Sequence, residues 1–400
     1  MEEKYIKLLI DRCLNFKKSN SLFISYDKVN KDFVDELILY AKNKGIEDIE
    51  VDEEDIFLLH DKLKNLSIKE IKEDKYFDKS IWDEYAKKNA SFLMLETEFP
   101  HVMDDVDSEK LALAKTINRN TRQEFRKKEI TYEIPWCIAA LPNEIWAKDI
   151  FKNDFNAYEK LENVIYEMCM VDKDDPVLEW EKYRKFVGEK VEILNNLEIK
   201  KLHYTNNLGT DLKIEMPKNV RWSSIADKLE DEMFVNMPSY EIFASPNYLK
   251  TEGIVYNSKP LMYNGGLIDN FYIKFSEGKV VDFDAEVGYD ILKEIIEGDK
   301  NSDYLGEVAL VNFDSPISNT NLVFGTTLFD ENASCHLALG DGFPHCIVGG
   351  EKFSSDELLS SGINQSKNHV DFMIGTKDLK IEAETNKGKK MIFEDGNFVI

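Results

Sequence analysis

Cysteine is scarce in this chain, and its few copies are scattered. The sequence has five cysteines in 400 residues, an odd number, and no two of them form a CxxC pair. This pattern argues against a disulfide framework and indicates free thiols in a reducing compartment. The five are Cys13, Cys137, Cys169, Cys335 and Cys346. The last two lie near the histidines considered below, where a thiolate ligand to zinc is a minor alternative to a small buried thiol.

Long apolar runs and secretory signals are absent as well. No stretch of about 18 apolar residues occurs, so the sequence predicts no membrane span. Residues 1–16 are charged and periodic, and they lack the basic and apolar regions of a signal peptide. We therefore expect a cytoplasmic protein.

Positive charge is in short supply. The chain has 51 Lys and Arg against 76 Asp and Glu, which gives a formal net charge of -25. A surface this acidic repels nucleic acid and anionic membranes, so neither is expected as a partner. The surplus acids are explained most simply as a solvated surface, and they do not by themselves indicate a basic substrate.

The familiar short motifs are also missing. Neither GxGxxG nor GxxxxGK[ST] follows any predicted strand, so a nucleotide role has no motif behind it. The helix-borne zinc motifs HExxH and HxxEH are absent too. Any metal site must therefore be assembled from distant segments.

The first half of the chain alternates between predicted strands and helices. Strands are predicted at 21–27, 48–53, 91–99 and 134–142, and helices at 3–16, 32–46, 107–128, 156–171 and 175–197. Such alternation is typical of strands joined by helical crossovers. We therefore predict that residues 1–195 form an α/β domain with an open, mostly parallel sheet and a helical connector.

From residue 198 onward the hydrophobic period changes to two. Segments on either side of Asn206-Asn207-Leu208-Gly209 alternate as an antiparallel hairpin does. Gly-rich turns separate further strands, helices are predicted at 285–297 and 354–361, and the C-terminus ends in a strand pair. We predict that residues 196–400 form a strand-rich α+β domain that binds metal.

Imidazole and carboxylate groups in this second half are the candidate chemistry. His336 stands in SCHLALG, and His369 belongs to a His-Val-Asp triplet with Asp371. On an extended segment His369 and Asp371 point to the same side, so both can bind one ion, or Asp371 can hold the ring. Glu241 and Glu307 lie in short apolar settings. Each residue taken alone is more often structural, so spacing alone gives a modest signal.

Five ordered segments of the chain form a series of motifs: MPSYEIFASP, LGEVALV, NASCHLALG, GFP and GINQSKNHVDFMIG. Together they resemble the serial signatures of the thermophilic metalloprotease family of metallo-aminopeptidases. The similarity covers essentially the whole chain, and IPWCIAALPNEIWA and GTDLKIEM resemble two flanking features of the family.

The resemblance implies a metal-dependent aminopeptidase that releases N-terminal amino acids from peptides with a free N-terminus. It implies a cytosolic homodimer with two cocatalytic divalent ions, for which zinc, cobalt and manganese suit the nitrogen and oxygen donors. The implied ligands are Glu241, Glu307, His336, His369 and Asp371, with Glu307 as the bridge. The ions would activate water, and Glu241 or Glu307 would move its proton.

One position departs from the family pattern. The family commonly has tyrosine seven residues after the first ligand histidine, whereas this chain has Phe343. A phenol there could stabilise an oxyanion, a donor whose loss elsewhere costs about 10²–10³ in rate. His345 or Tyr240 could substitute, although a surface location is expected for His345.

Three alternatives therefore remain beside the aminopeptidase. A catalytically impaired relative would bind metal and peptides without efficient turnover, as Phe343 suggests. A metal-dependent amidase would cleave another bond with the same groups. A non-enzymatic α/β ligand-binding protein would use its His and Glu residues structurally and bind no metal.

Overall fold

The chain folds into two compact units in the computed structural model, which describes residues 1–152, 154–225, 233–263 and 265–400. The units are Met1–Glu181 with Lys228–Pro238, and Lys182–Asp227 with Ser239–Ile400. The domain division predicted between residues 195 and 196 stays a prediction. Within the described ranges, no helix is both long and apolar enough to cross a bilayer.

Strands and helices alternate along the first part of the chain. The strands are β1 (Ser21–Asp27), β2 (Asp48–Glu54), β3 (Ser91–Glu96) and β4 (Trp136–Ala140). The helices are α1 (Glu2–Leu8), α2 (Lys31–Asn43), α3 (Ile56–Asn65), α4 (Ile68–Glu73), α5 (Ser80–Lys87), α6 (Ser108–Thr121), α7 (Gln123–Ile130), α8 (Glu144–Ile150), α9 (Ala157–Met168) and α10 (Pro176–Asn196).

Strands dominate the rest. They are β5 (Lys201–Thr205), β6 (Asp211–Glu215), β7 (Ser223–Ser224), β8 (Asn236–Met237), β9 (Ile242–Ala244), β10 (Thr251–Tyr256), β11 (Leu261–Tyr263), β12 (Gly266–Ser276), β13 (Lys279–Val287), β14 (Leu305–Leu310), β15 (His336–Gly340), β16 (His369–Met373), β17 (Lys380–Thr385), β18 (Gly388–Glu394) and β19 (Asn397–Phe398). The helices are α11 (Tyr289–Glu297), α12 (Pro316–Asn319), α13 (Thr327–Asp330) and α14 (Ser355–Ser360).

The first unit is built on a parallel sheet with the strand order β2-β1-β3-β4-β8. Strand β1 is buried along most of its length, as expected for a strand covered on both faces. Phe23 of β1 lies opposite Phe92 of β3, and both pack with Trp82, Tyr85 and Phe125 in an aromatic core. The predicted parallel sheet is confirmed.

The single helix predicted at 107–128 is wrong. The chain forms α6 and α7 instead, and the break falls at Arg122, whose φ of -126° and ψ of 44° are not helical. Arg122 lies over the Trp82 ring at 4.8 Å, and Asp83 accepts a hydrogen bond from the Phe125 backbone N–H at 2.9 Å. These tertiary contacts outweigh the helical propensity of the segment. Helices α3, α4, α5 and α8 were not predicted.

The second unit contains two antiparallel sheets. One has the order β11-β12-β10-β6-β5-β17-β18-β19, with β13 paired to β12, and the other has the order β16-β15-β14-β9-β7. The predicted hairpin is the β5–β6 pair, and the predicted C-terminal strand pair is β17–β18. The predicted strand-rich character of this half is therefore confirmed.

The helix predicted at 285–297 begins late, because residues 285–287 extend strand β13. Gly288 separates strand from helix with a φ of +76°, and a Cβ there would lie 2.3 Å from the Leu267 carbonyl oxygen. Only glycine makes that turn without a clash.

Candidate metal centre

Four of the five candidate ligands lie on neighbouring strands of the five-stranded antiparallel sheet, and the fifth immediately precedes a strand of that sheet. Glu241 immediately precedes β9, Glu307 lies in β14, His336 begins β15, and β16 supplies His369 and Asp371. The strand order places β9, β14, β15 and β16 side by side. Four distant stretches of sequence thus meet at one place.

The register puts these side chains on one face of the sheet. Ala338 of β15 is paired with Glu307 on one side and with Asp371 on the other. Residues directly opposite each other in a sheet point the same way, and so do residues two apart along a strand. His336 and His369 therefore share this face, and the small Ala338 side chain leaves space between the two carboxylates.

The ligand atoms form two groups that share Glu307. One group is Glu241, Glu307 and His336, and the other is Glu307, His369 and Asp371. In each group, one potential ligand atom from each residue lies within 4.8 Å of the others.

The histidines contact the carboxylates directly. His336 Nε2 lies 3.2 Å from Glu241 Oε2. His369 Nε2 lies 3.1 Å from Glu307 Oε2 and 3.4 Å from Asp371 Oδ1. The imidazole nitrogens and carboxylate oxygens thus converge on one another, as the ligand atoms of a cation site do.

Both imidazoles are held in the form that suits a metal ligand. His336 Nδ1 lies 3.2 Å from the Ser334 carbonyl oxygen, and His369 Nδ1 lies 2.8 Å from that of Asp341. A carbonyl oxygen only accepts, so each Nδ1 carries the proton. In the neutral ring the Nε2 lone pair then faces the carboxylates, as in known carboxylate–histidine metal sites.

Burial makes this cluster costly without a cation. Glu241, Glu307, His336 and Asp371 are all 9% exposed or less, and Asp371 Oδ1 accepts no hydrogen bond. Uncompensated carboxylates in such surroundings are strongly unfavourable. The donor set, the histidine orientation and the unbonded oxygen all fit divalent metal.

The electrostatics agree with this picture. Burial raises the pKa of Glu307, an effect partly offset by the hydrogen bond from His369. Burial lowers the pKa of His336, but the hydrogen bond and charge of Glu241 outweigh that effect and raise it to about 10. The site therefore attracts positive charge.

The peptide before Glu241 is fixed by two side chains that the sequence analysis did not identify as functional. The Tyr183 hydroxyl donates to the Tyr240 carbonyl oxygen at 3.2 Å, and the Tyr240 N–H donates to Asn332 Oδ1 at 2.7 Å. Hydrogen bonds of this kind orient the ligand that follows. No sequence signal separates Tyr183 from the other apolar positions of α10.

Glu331 is a further acid that the sequence analysis missed. It lies in a 3-10 turn, Glu331–Ala333, on the approach to β15. Burial and the charges of Glu241 and Asp371 raise its pKa. No local sequence pattern separates Glu331 from the many other acids of the chain.

The cysteines and His345, which the sequence also offered as candidates, are not among the grouped ligands. Among the described residues, neither metal-capable group includes a cysteine. Burial raises the pKa of Cys335 to about 12, so it stays a thiol. The surface location expected for His345 is wrong, because this residue is 5% exposed and packs its ring against Phe243 and Phe343.

The family relationship follows from comparison with known proteins. The family model described as thermophilic metalloprotease (M29) matches residues 1–398. Aminopeptidase AmpS of Bacillus subtilis is 35% identical, covering 98% of this chain and 97% of that protein. Aminopeptidase 2 of Geobacillus stearothermophilus is 33% identical, covering 99% of this chain and 97% of its own.

A solved structure gives the same result. Wild-type AmpT from Thermus thermophilus superposes with a TM-score of 0.91 and 27% identity, covering 100% of this chain and 99% of that one. Matches in sequence and in fold therefore agree over the full length. The chain belongs to the thermophilic metalloprotease family, M29.

Proposed function

We propose that this protein is an aminopeptidase that removes N-terminal residues from peptides with the help of two divalent ions. The observation that carries the proposal is the pair of ligand groups sharing Glu307. A shared carboxylate between two triads is the arrangement expected for adjacent ions in a two-metal hydrolase. The relatives are named aminopeptidases, which supports the N-terminal peptide bond as the bond that is cleaved.

Each residue has a defined role in this proposal. Glu241 and His336 would hold one ion, His369 and Asp371 the other, and Glu307 would bridge them. The Ser334 and Asp341 carbonyl oxygens keep the two rings turned toward the ions. Zinc, cobalt and manganese all suit this set of imidazole nitrogens and carboxylate oxygens.

When bound, the ions would supply Lewis acidity, which polarises the scissile carbonyl and lowers the pKa of water. The chain must still move one proton from water to the leaving amine. Glu307 would help to hold both ions, whereas Glu241 would help to hold only one. We therefore assign the proton transfer to Glu241.

The test is release of free amino acid from Leu-Gly-Gly, beside its N-acetylated twin, by protein stripped with EDTA and reloaded with each metal. We expect metal-restored cleavage of the free peptide only. The variant His336→Gln should lose bound metal and activity together. His203→Gln is the matched control, because His203 lies in the same unit on β5 and pairs with Asp211, outside both ligand groups.

The alternatives predict other outcomes. A catalytically impaired relative would retain two bound ions and cleave none of the peptides. An amidase would cleave amides or the acetylated peptide as readily. Failure to bind metal at all would overturn the ligand assignment.

We further propose a homodimer that works in the cytoplasm, with residues 1–195 and 196–400 as its domains. The family resemblance supports this assembly. Light scattering on the metal-loaded protein should give twice the mass of the 46.4 kDa chain. A monomer at all concentrations would contradict it.

A further inference from the structure

The two candidate ligand histidines depend on different parts of the chain for their orientation. His336 Nδ1 faces the carbonyl oxygen of Ser334, which lies two residues away in the same segment. His369 Nδ1 faces the carbonyl oxygen of Asp341, which lies 28 residues away, at 2.8 Å. The first ring is therefore oriented within its own segment, whereas the orientation of the second depends on how the turn around Asp341 is held.

One buried residue, Asn364, holds the turn that presents this carbonyl group. Asn364 Nδ2 donates to the Gly340 carbonyl oxygen at 2.5 Å. The Asn364 carbonyl oxygen accepts a hydrogen bond from the Gly342 N–H at 3.0 Å. Asn364 thus binds both peptide groups that flank the Asp341 Cα, and the second of these peptide groups carries the carbonyl oxygen that faces His369.

The side chain of Asn364 is itself fixed by its surroundings. It is fully buried, and Nδ2 donates a second hydrogen bond to the Asn301 carbonyl oxygen at 2.9 Å. Its amide oxygen accepts from the N–H of the following residue, Gln365, at 3.0 Å. Replacing a buried amide with these partners would leave two carbonyl oxygens without their donor. Asn364 therefore links the turn around Asp341 to a third segment of the chain.

The turn packs directly against the backbone that leads into His369. Gly340 has a φ of +103°, and a Cβ there would lie 2.1 Å from the Asn368 carbonyl oxygen. The Asp341 N–H donates to that same oxygen at 2.7 Å, and Asp341 Oδ1 accepts from the Ser366 N–H at 3.1 Å. Only glycine allows so close an approach. A shift of the turn would therefore be transmitted to the His369 ring.

We propose that Asn364 is a positioning residue for the ion that His369 and Asp371 would hold. Through the Asp341 carbonyl group, Asn364 keeps the His369 ring turned so that Nε2 faces the carboxylates. The inference rests on the proposed two-ion function and adds to it a residue outside both ligand groups. Its effect should be confined to one ion, because the other ligand histidine is oriented within its own segment.

Titration of the EDTA-stripped full chain with cobalt(II), followed by visible absorption, tests the proposal without relying on turnover. Asn364→Leu removes the amide but keeps a side chain of similar size. We expect one ion to bind as in the wild type and the other to bind about 10- to 100-fold more weakly, the usual effect of losing such a partner of a ligand. The cobalt that remains tightly bound should give the spectrum of His369→Gln, not that of His336→Gln.

A buried asparagine in the other compact unit provides the matched control. Asn143 is 6% exposed, and its Nδ2 donates to Thr97 Oγ1 at 2.8 Å and to the Glu98 carbonyl oxygen at 2.6 Å. Asn143→Leu should bind both ions as the wild type does.

Asn364→Asp decides the question if Asn364→Leu does not fold. It keeps the shape of the side chain and adds a negative charge, which by itself would strengthen the binding of a cation. Loss of the hydrogen bonds that position the turn should have the opposite effect. We therefore expect this variant, too, to bind one ion more weakly than the wild type.

The outcomes separate this proposal from the proposed function. Unchanged affinity for both ions in the folded Asn364 variants would overturn the positioning role, and so would an equal weakening of both ions. If the wild type binds two ions but cleaves no peptide, while Asn364→Leu weakens one ion, the proposed function fails and the positioning role stands. A wild type that binds no cobalt would overturn the ligand assignment and the positioning role together.

Discussion

Phe343 stands beside the candidate ligand His369, with the two ring centroids 5.0 Å apart. Its ring also packs edge-on against Phe243, and its backbone N–H donates to Ser245 Oγ at 2.8 Å. The ring is therefore well fixed, but it offers no hydrogen-bond donor to an oxyanion. Any hydroxyl that stabilises an oxyanion at this site must therefore come from a residue other than Phe343.

Replacing Phe343 by tyrosine should supply the hydroxyl that the family resemblance implies at this position. If the added group reaches the developing oxyanion, kcat should rise by up to about 10²–10³, the usual effect of one such donor. The measurement is kcat for Leu-Gly-Gly at saturating zinc. Phe353→Tyr, at a position 37% exposed, is the control and should leave kcat unchanged. An unchanged rate in Phe343→Tyr with full metal content would show that another group does this work.

The sequence predicted the surroundings of some candidate residues correctly and those of others wrongly. The shared orientation of His369 and Asp371 was predictable, because residues two apart on a strand point to the same face. His345 was misassigned because burial depends on packing against Phe243, a distant residue that no local pattern reveals. The same limit explains why Glu331 escaped notice.

At the scale of elements, strands β14, β15 and β16 bring the candidate ligands together, and Ala338 is the small residue between them. Ala338 is fully buried and paired with both Glu307 and Asp371. The variant Ala338→Val adds two methyl groups to this gap. Overpacking of this kind costs about 1–3 kcal/mol of unfolding free energy, and here it should also spread the two carboxylates and weaken metal binding.

Ala383→Val separates these two effects. Ala383 is equally buried in β17, which belongs to the other antiparallel sheet. Both variants should lower the urea midpoint, but only Ala338→Val should lose zinc in equilibrium dialysis. Equal zinc affinity in the two variants would contradict the idea that Ala338 sets the ligand spacing.

Elements were predicted best where the pattern was regular. Strand β1 matched its predicted bounds because a continuous apolar run marks a covered parallel strand. The break between α6 and α7 was not predictable, because the contacts of Arg122 with Trp82 come from another helix. Short strands such as β8, with two residues, carry no periodicity to detect.

At the scale of the whole molecule, negative charge is the dominant feature. The chain carries a formal net charge of -25, and three carboxylates of the candidate site are buried within this acidic background. Each buried carboxylate adds repulsion that bound cations would remove. Metal binding should therefore stabilise the fold as well as support catalysis.

Thermal unfolding of the protein, stripped with EDTA and then reloaded with zinc, measures this linkage. Ligand at a hundredfold excess over Kd adds about 2.7 kcal/mol at one site, which corresponds to a rise in Tm of about 5–10 °C for a domain of roughly 200 residues. His336→Gln should show a smaller rise, because one ligand group is incomplete, whereas His203→Gln should respond as the wild type does. The same Tm with and without zinc in the wild type would mean that the buried carboxylates are compensated by protons and histidines alone, and it would remove the physical basis for a metal site at Glu307.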